Sequence, residues 1–175
     1  MPRFALFRDY DPTTTRAQLD GVALAGAAAL QTYVYRGGSE QHHEPHGISW
    51  IQSYWEPGGR WGMCVFDAPN LAVLAGFQEL CGTPYVDAME VEEIPGDASG
   101  SPDPQLALTM QLPPALPLRT ALRDALPASI GRLVRAYSSP DRHSVVALLH
   151  GSTAEDVGAK VPAARVIELT PADYA

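Results

Sequence analysis

The sequence predicts an α+β fold made of two tandem units, each with the order strand-helix-strand-strand-helix-strand. Three observations carry this. Two turn-anchored hairpins recur at a shift of 83 residues, which lays Tyr54 on Tyr137 and Pro57 on Pro140. A segment of linker composition, residues 95–105 (PGDASGSPDPQ), separates the halves. The strands are apolar in both phases of their alternation, so both faces of each sheet require cover.

The first half (1–94) opens with Phe4–Tyr10, an apolar strand ended by Asp11-Pro12. Thr15 and Gln18 have capping-box spacing. Leu19, Val22, Ala23, Ala27, Leu30 and Val34 then follow at helical intervals, predicting a helix from Arg16 to Tyr35 that stops at Gly37-Gly38. Residues 39–46 are polar and form a loop. Ile48–Trp55 and Trp61–Phe66 read as a hairpin about Pro57-Gly58-Gly59. Asn70 caps a second helix with the stripe Val73, Leu74, Phe77, Leu80 and Cys81, closed by Gly82 and Pro84. Val86–Ile94 is the fourth strand, which completes the split βαβ order of ferredoxin-like folds.

After the linker the pattern restarts over 106–175. Leu106–Leu112 is a strand, and Pro117 opens a short helix through Leu126. Arg132–Tyr137 and Ser144–Leu149 form the second hairpin. Ser152 and Glu155 read as a capping box for a helix through Val157 and Val161, and Arg165–Leu169 closes the unit. The same shift pairs Ile51 with Val134 and Val65 with Leu148. Strict alternation puts Ile48, Trp50 and Tyr54 on one face and Ile51 and Trp55 on the other; likewise Val134 and Ala136 oppose Leu133 and Tyr137. Burying a Leu-, Val- or Phe-sized side chain contributes roughly 1.5–3 kcal/mol. The two sheets are therefore expected to face one another as a pseudo-dimeric α+β barrel, with a ligand pocket between them. That arrangement predicts a monomer or a weak homo-oligomer, since the internal pairing replaces a partner.

Composition narrows the function. The 175 residues include 46% hydrophobic and 18% charged side chains, an ordinary globular balance. A net charge of −8, with Lys160 the sole lysine, argues against nucleic-acid binding and against docking on anionic membranes. Val22–Leu30 is far too short to span a bilayer, and Met1-Pro2-Arg3-Phe4 lacks a leader's apolar core. Two cysteines, Cys64 and Cys81, are too few for a disulfide framework, so a reduced cytoplasmic setting is expected. No nucleotide-binding glycine loop, nucleophile elbow or zinc motif is present.

Trp50-x-x-Ser53-Tyr54 followed by Cys64-x-x-Asp67-Ala68-Pro69, with Gly47 before and Gly82-x-Pro84 after, resembles the pattern of the DUF4242 family of small bacterial domains. Some of its members are described as nickel-binding ferredoxin-like proteins. The resemblance covers about residues 3–94 and implies a ferredoxin-like unit that pairs with a second one. It further implies small-ligand or divalent-metal binding, nickel included. The chain differs from the pattern at Asp67, where the family has Glu. It differs also at Phe7 and Arg8, where the family often places an acidic residue.

His42, His43 and His46, with Glu44, are metal-competent side chains within five residues; imidazole suits Ni, Zn and Cu. The same stretch also reads as a solvated polar loop. Trp50, Tyr54 and Tyr137 offer aromatic walls for a flat ligand, or plain core. Cys64 reads as a small buried hydrophobe or as a ligand-facing thiol. The expected function is a protein that binds a small molecule or a divalent metal. Alternatives are a cofactor-independent enzyme acting on a small organic substrate in the inter-sheet pocket, using Tyr54, Tyr137, His150 or Asp67, and a non-catalytic interaction module.

Overall fold

The structure, a computed structural model, describes residues 1–30, 47–96, 103–113, 117–127, 129–139 and 143–172. It has a mixed α+β fold with four helices and two antiparallel sheets among those residues. In chain order the first elements are β1 (Arg3–Asp9), α1 (Arg16–Leu30), β2 (Ser49–Trp55), β3 (Trp61–Asp67), α2 (Leu71–Leu80) and β4 (Asp87–Glu90). Then come β5 (Glu92–Pro95), β6 (Leu106–Gln111), α3 (Leu118–Ala125), β7 (Arg132–Ser139), β8 (Ser144–His150), α4 (Ala154–Lys160), β9 (Arg165–Glu168) and β10 (Thr170–Ala172). The sheet orders are β10-β2-β3-β1-β4 and β5-β7-β8-β6-β9. The chain divides into one unit of Met1–Glu90 with the C-terminal residues from Ala172, and another of Val91–Pro171.

In the first unit the helix starts follow the local chemistry. Thr15 N–H donates to Gln18 Oε1 (2.7 Å) and Gln18 N–H donates back to Thr15 Oγ1 (3.3 Å), a closed capping box. The helix it opens is described to Leu30; the remainder of the predicted span lies outside the described residues. Asn70 Oδ1 accepts from Val73 N–H at 2.9 Å and caps α2. Gly82 ends that helix at φ +61°, a conformation that favours glycine. On the helix-bearing face of the sheet, Phe4, Leu6, Cys64 and Phe66 pack on Val73, Leu74 and Phe77. Ala5, Val65 and Met89, in the opposite phase, are buried too.

The predicted strand Val86–Ile94 is two strands in two sheets. β4 pairs with β1 as far as Phe4 opposite Glu90, where β1 is one residue from its end. The backbone beyond has no partner there, so Glu92–Pro95 pairs with β7 instead, Glu92 opposite Ser138.

In the second unit Leu106, Leu108, Ala147 and Leu149 pack with Leu122, Ile130 and Val157. Ala107, Val146, Leu148 and Tyr137 occupy the other phase and are buried. The cap of α4 is displaced by one residue from the expected Ser152. Thr153 holds the extended dihedrals, its Oγ1 accepts from Asp156 N–H (3.1 Å), and it donates to Asp156 Oδ2 (2.8 Å).

Each sheet carries a β-bulge that strict alternation does not anticipate. In β2 the register slips between Trp50, opposite Phe66, and Gln52, opposite Val65. In β7 it slips between Leu133, opposite Leu149, and Arg135, opposite Leu148. The extra residues are Ile51 and Val134, which are 83 positions apart. The slip inverts the phase beyond it. Trp50 therefore shares a face with Ser53 and Trp55 rather than with Tyr54, and Leu133 shares one with Ala136.

Candidate functional site

The helix-bearing face of the first sheet is not filled. A cavity of about 190 Å³ lies between α1, the sheet and the end of α2, entirely within the first unit. This is a different place from the inter-sheet space expected from the sequence. α1 contributes Leu19, Val22 and Gly26 to its wall. The sheet contributes Arg8, Trp50, Ser53, Trp55, Cys64 and Phe66, and the α2 end contributes Phe77, Gln78, Cys81 and Gly82–Pro84. A Cβ on Gly26 would lie 3.5 Å from Trp50 Cζ3, in ordinary contact, so any longer side chain there would enter the space beside the indole.

The bulge shapes this wall. In a regular strand residues i and i+3 point to opposite faces. Here Trp50 Nε1 donates to Ser53 Oγ at 2.9 Å on one face. The Trp50 ring stacks on Phe66, centroids 5.6 Å apart, and Phe66 meets Phe77 edge-on at 6.3 Å. One side of the cavity is thus a continuous aromatic surface.

The other side is polar and buried. Arg8 is 8% exposed. Its Nε donates to Cys64 Sγ (3.2 Å), Nη1 to the carbonyls of Thr83 (2.7 Å) and Pro84 (2.9 Å), and Nη2 to Gln78 Oε1 (2.5 Å). Gln78 also accepts from Thr83 Oγ1 at 2.9 Å. Burial works against the guanidinium charge, but the sulfur of Cys64, with Tyr10 and Cys81, holds its pKa above the ordinary value. Arg8 therefore stays charged. Burial pushes the Cys81 thiol up, partly offset by Arg8, so this side chain is a neutral thiol. Both cysteines are free. Arg8, Gly62 and Trp55 form one cross-strand row, with Arg8 and Trp55 on either side of β3. A Cβ on Gly62 would collide with Tyr10 Cε2, so the Tyr10 ring lies over this glycine. Trp55 Nε1 is buried with no hydrogen-bond partner among the described residues.

Of the residues singled out from the sequence, Trp50, Tyr54 and Cys64 come together around this cavity. Tyr54 reaches its edge from the opposite phase, facing Met63. Tyr137 lies in the second unit, fully buried opposite Val146, and does not border the cavity. His42, His43 and His46 lie outside the described residues. Among the described residues no group of three or more His, Cys, Asp or Glu side chains is placed to hold a metal ion. Asp67 is held by Arg3, Nε to Oδ1 at 2.7 Å, and His150 Nδ1 is 2.9 Å from the Asp103 carbonyl. Neither borders the cavity. Cys81, expected in the core, is only half-buried and lines the cavity.

Arg8 and Gln78 are the site residues that sequence reasoning missed. A signal exists for each. Arg8 continues the phase of Phe4 and Leu6, and Gln78 falls between Leu74 and Cys81 on the α2 stripe. A charged or amide group in a buried phase is the informative exception.

No known protein family's sequence profile matches this chain, and no curated protein matches it. Among solved structures it is similar to a protein of Lactobacillus acidophilus NCFM named as a candidate monooxygenase. The identity is 10% and the TM-score 0.46, over 97% of this chain and 93% of that one. Among the described residues no helix is long and apolar enough to cross a membrane.

Proposed function

We propose that this protein binds a small, flat organic molecule in the cavity of its first unit. One observation carries the reading. Among the described residues of that unit, the buried polar side chains are Arg8, Ser53 and Gln78, and all three border one cavity whose remaining lining, Asp9 and Thr83 apart, is mainly apolar and aromatic. A concave apolar site with a few convergent polar groups is what small-ligand recognition requires. The volume suits a single ring, since an apolar cavity of about 150 Å³ accommodates benzene. The resemblance to the DUF4242 pattern supports the same place, because Trp50, Ser53, Tyr54, Cys64, Gly82 and Pro84 all border it.

Ligand-observed NMR with single-ring compounds, against the native chain and Gly26→Leu, tests the reading. A side chain at position 26 fills the space beside Trp50, so binding seen with the native chain should vanish in the variant. Equal binding by both, or none by either, sinks the proposal.

We propose in addition that the two units are tandem ferredoxin-like repeats. Support comes from the repeated strand-helix order and from the matching orders β2-β3-β1-β4 and β7-β8-β6-β9. The bulges 83 residues apart agree, as do the equal spans of β3 and β8 at the same shift.

A further inference from the structure

The Arg8 guanidinium is charged and buried, yet its partners are two carbonyls, an amide oxygen and a sulfur. No carboxylate among the described residues pairs with it. The adjacent Asp9 is held by Arg60 (2.7 Å), and Asp11 accepts from Thr13. A buried cation is costly to desolvate unless it is paired. Arginine has five N–H donors. Four are placed by the contacts above, and the fifth, on Nη2, has no partner among the described residues. Across β3 in the same row stands Trp55, 8% exposed, whose indole N–H is also unpartnered. Arg8 and Trp55 thus both line one largely aromatic cavity, and among the described residues the charge of Arg8 and one N–H of each side chain are unmatched; Asp9, which also borders the cavity, is already engaged by Arg60.

Resting on the small-ligand reading above, we propose that the ligand is a flat monocarboxylate whose anion is held by the Arg8 guanidinium and the Trp55 indole N–H. A carboxylate brings one charge and two acceptor oxygens, which match one cation and two donors unpartnered among the described residues. A phosphate would bring more charge and more acceptors than these groups satisfy. The rest of the ligand is a single ring set against Trp50 and Phe66.

Benzoate and its neutral isostere benzamide are the probes, titrated calorimetrically into the full chain at pH 7. Benzoate should bind at least tenfold more tightly. Arg8→Met should remove that preference. Trp55→Phe should weaken benzoate several-fold more than it weakens benzamide. In the native protein, benzoate should move the Trp55 indole N–H resonance. Equal affinity for the two probes overturns the anion seat and leaves the small-ligand reading standing. Binding of neither overturns both. A benzoate preference that survives Trp55→Phe with an unmoved indole resonance overturns the assignment of the seat. The probe comparison on the native chain requires no variant, so misfolding of Arg8→Met cannot shield the proposal.

Discussion

Arg8 continues the buried apolar phase of Phe4 and Leu6 in β1, so an apolar side chain is expected to be accommodated there. Replacing a buried charge by a hydrophobe of similar length is often neutral or stabilising, because the desolvation cost disappears. The Thr83 and Pro84 carbonyls it contacts belong to residues that are not buried, so water can replace the lost donors. Arg8→Met is therefore expected to keep urea-unfolding stability within about 1 kcal/mol of the native value, or to raise it. A loss above about 3 kcal/mol would make Arg8 a structural staple instead. Arg8→Lys should not substitute in ligand binding, since an ammonium cannot span the same acceptors.

A second residue-scale prediction concerns acid. The Arg3 guanidinium, bound to both oxygens of Asp67 at 2.7 and 2.9 Å, holds that carboxyl below its usual range. With the folded pKa below the unfolded one, the unfolded chain takes up the proton first as pH falls. The contribution of the pair is whole above about pH 4, the ordinary Asp value, and is lost as pH drops through the folded pKa. Native protein and Arg3→Ala should thus differ most at neutral pH and draw together as pH falls below the ordinary Asp range. Urea unfolding across that range measures it; a constant difference would contradict the linkage.

At the scale of elements, caps decide where helices begin. Thr153, not Ser152, accepts the Asp156 N–H. Thr153→Ala should cost about 1 kcal/mol, within the 0.5–2 kcal/mol usual for cap loss, and Ser152→Ala less than about 0.5 kcal/mol. The reverse order in thermal melts would restore the capping box read from spacing. The two caps are one residue apart, and both sites offer a hydroxyl with an acidic residue three positions on. Sequence spacing cannot choose between them. The chain path through Gly151, at φ +82°, selects Thr153 as the extended residue. By contrast, Thr15, Asn70 and Gly82 were legible because each competes with no equivalent neighbour. The bulges at Ile51 and Val134 were not legible, because a bulged run keeps the same apolar composition as a regular strand.

At the scale of the whole molecule, each sheet has an edge strand drawn from a distant part of the sequence. β10 flanks β2 in the first sheet, and β5 flanks β7 in the second. A fragment of residues 1–96 would lack β10 and would leave β5 without β7. It should fail to melt cooperatively as a soluble monomer. Removing 170–175 alone uncovers the β2 edge, and exposed edges pair with other chains. That deletion should shift the protein toward larger species in size-exclusion chromatography. Unchanged elution and melting would show that β10 is dispensable.

The sequence by itself determined the α+β class, the order of the elements apart from the division of Val86–Ile94 and the short last strand β10, both hairpins and three of the helix ends. These depend on local periodicity and on turn and cap chemistry, which act over a few residues. It also marked Trp50, Tyr54 and Cys64, because aromatic and thiol groups stand out in a strand. Only the tertiary structure decided the division of Val86–Ile94 between two sheets, since that depends on where β1 runs out of partners. Only it decided that Trp50 and Ser53 share a face, and that Arg8 and Gln78 meet at the cavity 70 residues apart in the chain. Such contacts are fixed by register and by the closing of long loops, and no local pattern encodes them.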